Sequence, residues 1–104
     1  AIEHLGVKIL LVLGHGSCGG VTAAVSEGGH EHGNIAHLLG TIRNDVSEYV
    51  GKADSLEQAI RHHTLVQVER IMSYPHVAEK VKKGEMLVKP AYYDVNTGKV
   101  SLLE

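Results

Sequence analysis

The hydrophobic positions first follow a strand pattern and then a helical one. Residues 7–13 (VKILLVL) form a nearly continuous apolar run that ends at Gly14. Such a run predicts a strand buried on both faces, as in parallel sheets covered by helices. A short helical segment is predicted at residues 21–26. A glycine-rich polar loop then leads to Asn34, a good helix N-cap.

Two longer segments place apolar residues at the 3.6-residue spacing of a helix. The first predicted helix would bury Ile35, Leu38, Leu39, Ile42 and Val46. The second begins near residues 54–55, where Ser55 and Gln58 have capping-box spacing. Its apolar face would carry Leu56, Ile60, Val68, Ile71 and Met72.

The last third of the chain predicts a short helix and then strands. Pro75 is expected to open the helix and Gly84 to close it. The later pattern predicts extended segments at 86–88 and 91–95, a turn at 96–98 and a returning strand at 99–103. The predicted fold class is α/β, with a parallel β-sheet flanked by helices and an antiparallel C-terminal edge strand.

A chain of 104 residues without an internal repeat or linker predicts one domain, residues 1–104. A buried parallel strand needs a neighbour on each side, and the sequence after residue 13 supplies only one. Residues 1–6 (AIEHLG) resemble the tail of a helix. We therefore expect a domain that lacks its N-terminal strands, or a subunit that borrows an edge.

Charge and composition exclude several classes of function. Ten Lys and Arg against twelve Asp and Glu give a net charge of −2, so nucleic acid is not an expected partner. No apolar run approaches the roughly 20 residues that span a bilayer, and no secretory signal is visible. The one cysteine cannot form an internal disulfide, which predicts a free thiol in the cytoplasm.

The loop at residues 14–20 (GHGSCGG) follows the predicted strand, where open α/β sheets bind ligands. Its glycines match a dinucleotide fingerprint, but no second strand ends in an acidic residue about 20 residues later. Cys18 between Gly16 and Gly20 matches a nucleophile elbow, a weaker interpretation because no histidine sits after a strand in the usual triad order with an acid between. His15 and Cys18, three residues apart, offer imidazole and thiolate, two donors that favour zinc. Zinc needs four ligands, so this spacing alone leaves a structural cysteine and histidine as an alternative.

Residues 12–21 (VLGHGSCGGV) resemble the Gly-His-x-x-Cys-Gly-Gly segment that follows the third strand of β-class carbonic anhydrases. Residues 1–4 (AIEH) resemble the Ser-Ile-Glu-Tyr stretch of that family's preceding helix. Residues 84–88 (GEMLV) and 91–100 (AYYDVNTGKV) are similar to its closing strands. The resemblance extends over essentially the whole chain and favours the metal interpretation of the loop.

The resemblance implies that His15 and Cys18 are zinc ligands and that the Gly19 and Gly20 backbone leaves room near the metal. The family's other Cys ligand and its Asp-Arg pair belong to a Cys-x-Asp-x-Arg motif, which has no counterpart in this chain. No catalytic residue is therefore identified. The implied activity is that of a lyase, the reversible hydration of carbon dioxide to bicarbonate, in a homodimer or higher homo-oligomer.

Two histidines outside the loop, His30 and His32, are candidates for a proton shuttle or a second metal site. The alternative is a solvated polar loop. For the whole chain, one alternative function is a non-catalytic, metal-poor relative that acts as a binding or structural subunit. The other is a zinc hydrolase of a molecule similar to carbon dioxide, such as carbonyl sulfide or carbon disulfide.

Overall fold

The computed structural model describes residues 6–26, 32–52 and 55–103. In chain order these ranges form β1 (Ile9–His15), α1 (Gly19–Val25), α2 (Gly33–Asp45), a 3₁₀ turn (Ser47–Tyr49), α3 (Leu56–Met72), α4 (Pro75–Lys82), β2 (Leu87–Tyr93) and β3 (Val100–Leu102). This order confirms the α/β prediction. The predictions for residues 1–5, for most of the glycine-rich loop and for Asp54 lie outside the described residues.

The three described strands form one sheet in the order β1-β2-β3. β1 and β2 are parallel, with Ile9 opposite Leu87 and His15 opposite Tyr93. A parallel pair needs a crossover connection, which the four helices between these strands supply. β3 returns antiparallel to β2. The parallel sheet with an antiparallel C-terminal strand is thus confirmed.

β2 runs unbroken through Pro90, where the sequence predicted two separate extended segments. Proline has no amide hydrogen to donate to a ladder. Its carbonyl still accepts a hydrogen bond from the Leu103 amide at 3.0 Å, and the strand continues.

The prediction that the first strand is buried on both faces is wrong for the described structure. Ile9, Leu11 and Leu13 are 63%, 45% and 47% exposed, whereas Leu10 and Val12 on the opposite face are half-buried. The reason is that the helices in the described ranges cover one face of the sheet. β1 is also an edge strand of this sheet, because β2 is its one partner there.

Two clusters of buried aliphatic residues form the core. The first joins α1, α2 and α3 through Val21, Ala24, Val25, Leu39, Ile42, Val46, Ala59 and Ile60. The second lies between β2 and the helices α3 and α4, and its buried members are Val77, Met86 and Val88. Val68, Ile71 and Met72 pack against this second cluster, as the predicted apolar face of α3 requires.

Two details of the predicted helices are wrong. Ile35 and Leu38 are exposed, because burial in α2 begins at Leu39, so its first turns lie beyond the core. Ser55 is the N-cap of α3 but makes no side-chain capping bond, so no capping box forms. The second half of α2 and the middle of α3 do pack as their periodicity predicts. None of the helices in the described ranges is long and apolar enough to cross a membrane.

Gly14, near the end of β1, allows α3 to pack closely against the sheet. A Cβ atom at this position would collide with Thr64 Oγ1 and lie 3.3 Å from Ile60 Cγ2. Thr64 has little freedom to move away, because it is buried and its hydroxyl donates to the Ile60 carbonyl at 2.9 Å. The absence of a side chain at residue 14 therefore sets the distance between β1 and α3.

Gly14→Ala is expected to lower the free energy of unfolding by about 1–3 kcal/mol, because it overpacks this contact. Gly40→Ala is the control, since a Cβ there meets nothing within 4 Å in helix α2. The control is expected to gain about 0.5–1 kcal/mol from the helix propensity of alanine. Urea unfolding measures both. Equal effects of the two substitutions would contradict the close-packing explanation, whereas a smaller Gly14→Ala effect in a Thr64→Ala background would support it.

Candidate functional site

The loop after β1 turns the chain sharply between its two candidate ligands. The Gly16 amide donates to the Tyr93 carbonyl at 3.0 Å, which extends the β1–β2 ladder past His15. Ser17 then adopts a left-handed conformation with φ of +56°, which is uncommon for a residue with a side chain. Cys18 is the N-cap of α1, and its carbonyl accepts from the Thr22 amide and hydroxyl. This strained turn brings the end of the strand and the start of the helix together.

His15 is exposed, and its ring is held by a short local contact. Nδ1 lies 3.0 Å from the Gly16 carbonyl oxygen. Since a carbonyl can only accept, Nδ1 carries the proton in this arrangement, and the lone pair is on Nε2. A histidine that donates one ring N–H to a carbonyl in this way is well arranged to bind a metal through its other nitrogen.

Cys18 is a free, half-buried thiol. It packs against the first core cluster and also lines a cavity of about 200 Å³ that His15 lines as well. The two candidate ligands predicted from the sequence therefore meet at one cavity. Apart from these two residues, the strand and α1 contribute Val12, Leu13, Gly14 and Val21 to the cavity wall.

Another wall of the cavity comes from α3, whose residues were not among the candidate site residues predicted from the sequence. Its lining residues are Ile60, His63, Thr64 and Gln67. They have the spacing i, i+3, i+4 and i+7, which is one face of a helix. The helical spacing of these four residues is visible in the sequence. Three of them are polar, however, so a search for apolar periodicity does not find this face. The neighbouring His62 instead faces Tyr49, with ring centroids 5.8 Å apart.

Behind this wall lies a buried carboxylate. The side chain of Asp45, the last residue of α2, is 5% exposed. Its two oxygens accept hydrogen bonds from both terminal nitrogens of the Arg70 guanidinium, at 2.8 and 3.2 Å. Gln67 Nε2 donates to Oδ2 at 3.4 Å. His63 Nδ1 lies 3.5 Å from Oδ2 but makes no hydrogen bond and is buried.

Burial lowers the pKa of His63 below its ordinary value of 6.5, because a charged imidazolium loses hydration there. The Asp45 carboxylate opposes this shift, and the nearby Arg70 charge adds to it. The lowered pKa keeps His63 neutral at pH 7. The Asp45 carboxylate also raises the pKa of Arg70, because it accepts hydrogen bonds from the guanidinium.

The other candidate residues lie away from these walls. Gly19 and Gly20 form the first turn of α1, and a Cβ on Gly20 would lie 3.6 Å from Ile42 Cδ1. His32 is exposed and immediately precedes α2, without a side-chain capping bond. His30 lies outside the described residues.

The described residues supply only part of a metal site. His15 and Cys18 are nitrogen and sulfur donors of the kinds that zinc prefers. However, in residues 6–26, 32–52 and 55–103 no three His, Cys, Asp or Glu side chains are grouped closely enough to hold an ion. The donor types of His15 and Cys18 match two of the four ligands that a zinc site uses.

Comparisons with known proteins agree with this fold. The sequence model of the carbonic anhydrase family matches residues 1–100. A carbonic anhydrase of Pseudomonas aeruginosa is 25% identical over the whole chain, which covers 50% of that relative. The chain spans only about a third to a half of the lengths of the relatives it matches.

Solved structures show the same architecture. A Coccomyxa β-carbonic anhydrase in complex with acetazolamide superposes with a TM-score of 0.84 at 23% identity, covering 98% of this chain and 49% of that one. Structures of two tetrameric β-carbonic anhydrases from Sordaria macrospora give 0.83 at 19% identity, covering 98% of this chain and 55% of that one.

The lowered pKa of His63 predicts a loss of stability in mild acid. As the pH falls below 6.5, the unfolded chain binds a proton at this residue while the folded chain does not, so unfolding becomes more favourable until the folded pKa is passed. Thermal melts from pH 8 to 5 should show a smaller fall in Tm for His63→Asn than for the wild type. His37→Asn, at an exposed position on α2 and not among the groups that act on His63, is the control. A His63→Asn slope equal to that of the wild type would contradict the prediction.

Proposed function

Because this chain belongs to the carbonic anhydrase family, we propose that it carries half of a zinc site for the reversible hydration of carbon dioxide to bicarbonate. The observation that carries the proposal is the shared cavity of His15 and Cys18 at the carboxyl end of β1. Ligands of open α/β sheets bind at this end of the strands.

The donor chemistry supports zinc. His15 offers Nε2, because Nδ1 faces the Gly16 carbonyl, and Cys18 offers a thiolate from the start of α1. Zinc, when bound, supplies Lewis-acid activation of water near neutral pH.

The chain's own residues shape the space for a small linear substrate. Val12, Val21 and Ile60 make part of the cavity lining apolar, which suits uncharged carbon dioxide. The reaction joins one water to one carbon dioxide and yields one bicarbonate and one proton. A group that removes this proton is therefore part of the proposed site.

The remaining donors are proposed to come from a Cys-x-Asp-x-Arg segment beside β1. In the described sheet, one edge of β1 has no partner, and His15 lies at the end of this strand. A parallel strand paired there would end next to His15, at the same edge of the sheet. Its thiolate and carboxylate would raise the donor count from two to four.

One observation favours a second candidate, a metal-poor subunit with a binding or structural role. No three zinc donors of the described residues are grouped closely enough to hold an ion, and missing ligands lower metal affinity strongly. Zinc content separates the two candidates, because an enzyme should hold about one ion per subunit.

We also propose a homo-oligomer. Ile9, Leu11, Leu13, Leu87, Val100 and Leu102 are exposed on the sheet. Apolar residues concentrated in this way are typical of a protein–protein contact. A cytoplasmic location is proposed with it, on the basis of the single free thiol.

Zinc binding and carbon dioxide hydration test the proposed function together. The 104-residue chain is expected to bind zinc weakly and to hydrate carbon dioxide slowly or not at all. The chain extended by a Cys-x-Asp-x-Arg strand should bind about one zinc and show rapid hydration in stopped-flow assays. In that form Cys18→Ser should remove both properties, whereas Ser26→Ala, at the far end of α1, should retain them. Efficient hydration by the unextended chain, or none by the extended one, would contradict the proposal.

Light scattering tests the assembly. At micromolar concentration we expect at least a dimer, with Leu11→Lys shifting the equilibrium towards monomer because it charges the exposed sheet face. Leu65→Lys, an exposed position on α3, is the control. A monomeric wild-type chain would refute this expectation.

A further inference from the structure

The cavity wall formed by α3 holds a titratable residue for which the proposed site has so far no role. His63 lies on α3 and lines the same cavity as His15 and Cys18. Its buried nitrogen, Nδ1, faces the Asp45 carboxylate at 3.5 Å. The His63 side chain is 21% exposed and lines the cavity while Nδ1 is buried, so we assign Nε2, the other ring nitrogen, to the cavity side.

Asp45 is itself firmly placed. Its carboxylate is bound through both oxygens by Arg70 and receives a further hydrogen bond from Gln67. Paired, charge-assisted bonds of this type fix orientation as well as charge. The carboxylate thus joins the end of α2 to α3 directly behind His63.

These surroundings select one form of the imidazole. The charged and titratable groups around His63 are Asp45 on α2, Arg70 and His62 on α3, and His15 and Cys18 across the cavity. Nδ1 lies 3.5 Å from Oδ2 of Asp45, so a proton on Nδ1 would lie near the carboxylate, whereas a lone pair there would lie near negative charge. Neutral His63 should therefore carry its proton on Nδ1 and leave the Nε2 lone pair towards the cavity, the arrangement in which histidine serves as a base.

We propose that His63 removes the proton released during hydration in this cavity, and that Asp45, held by Arg70, is its positioning residue. The inference rests on the proposed function. Nε2 accepts the proton that the next water in the cavity loses after bicarbonate has left, in a step separate from the addition to carbon dioxide, and the ring becomes imidazolium. The ring then passes the proton from Nε2 to a buffer base and returns to the neutral form. During this interval the Asp45 carboxylate stabilises the positive ring.

This assignment differs from the sequence-based candidates for a shuttle, His30 and His32. His32 is exposed ahead of α2 and does not line the cavity. His63, by contrast, combines a place on the cavity wall with a fixed carboxylate partner.

Oxygen-18 exchange between carbon dioxide and water separates the chemical step from proton transfer. It is measured on the zinc-loaded form that hydrates carbon dioxide in the test above. His63→Ala and His63→Gln should leave the interconversion of carbon dioxide and bicarbonate near the wild-type rate. Both should lower the release of labelled water by about a hundredfold, which is the low end of the usual effects of a lost acid–base group. Added imidazole should restore the release, and His37→Ala, at an exposed position on α2 away from the cavity, should change neither rate.

Two outcomes of this experiment would overturn the inference in different ways. If the wild type is active and the His63 variants lose both rates equally, or lose neither rate, the proton-transfer role is wrong and the proposed function stands. If the wild type shows no interconversion in any form, the proposed function itself fails, and the role of His63 fails with it.

Nitrogen-15 NMR of the histidine side chains gives a readout independent of activity. In the metal-free chain at pH 7, His63 should carry its proton on Nδ1. Asp45→Asn should move the protonation midpoint of His63 to lower pH, because it removes the one neighbouring negative charge that favours imidazolium. An Nε2-protonated ring, or a midpoint unchanged by Asp45→Asn, would overturn the positioning role of Asp45.

Discussion

The contact between Gly14 on β1 and the Ile60–Thr64 turn of α3 determines the geometry of the whole site. Because residue 14 has no side chain, the helix lies directly against the strand just before the strand ends. The next residue along the strand is His15, and the helical turn that contains Thr64 also contains His63. The closeness of strand and helix therefore decides how far the two cavity walls are separated. A side chain at position 14 would move both walls and change the cavity itself.

The sheet provides a second constraint, which is its uneven cover. The helices bury one face of β1 and β2, while large aliphatic residues of β1 remain exposed on the other. β1, which ends at His15, carries both the uncovered face and the unpaired edge. The same surfaces that favour association with further protein thus border the candidate zinc ligands. A strand paired to this edge would therefore complete both the sheet and the candidate zinc site.

The Asp45 carboxylate is a charged group buried in the interior, with a side chain that is 5% exposed. A buried carboxylate is costly unless its hydrogen-bonding capacity is filled, and Arg70 and Gln67 largely fill it. These hydrogen bonds offset the cost of burying the carboxylate, and they join α2 to α3. The half-buried imidazole of His63 lies between this link and the cavity, which couples the stability of the helical layer to the protonation of the site.

The sequence by itself determined the order and type of the elements, because hydrophobic period, glycine and proline act locally. It also singled out His15 and Cys18, because a glycine loop after a strand places donors at one edge of a sheet. The sequence did not predict burial where it depends on distant partners. One face of β1 is exposed because the described helices pack on its other face.

Only the tertiary structure joined α3 to the site. His63 and Asp45 are 18 residues apart in the chain, and neither belongs to a recognisable motif. Their meeting depends on the crossing of α2 and α3, and the place of His63 on the cavity depends on the missing side chain of Gly14. Local pattern decides what each segment becomes, but long-range packing decides which side chains face one another.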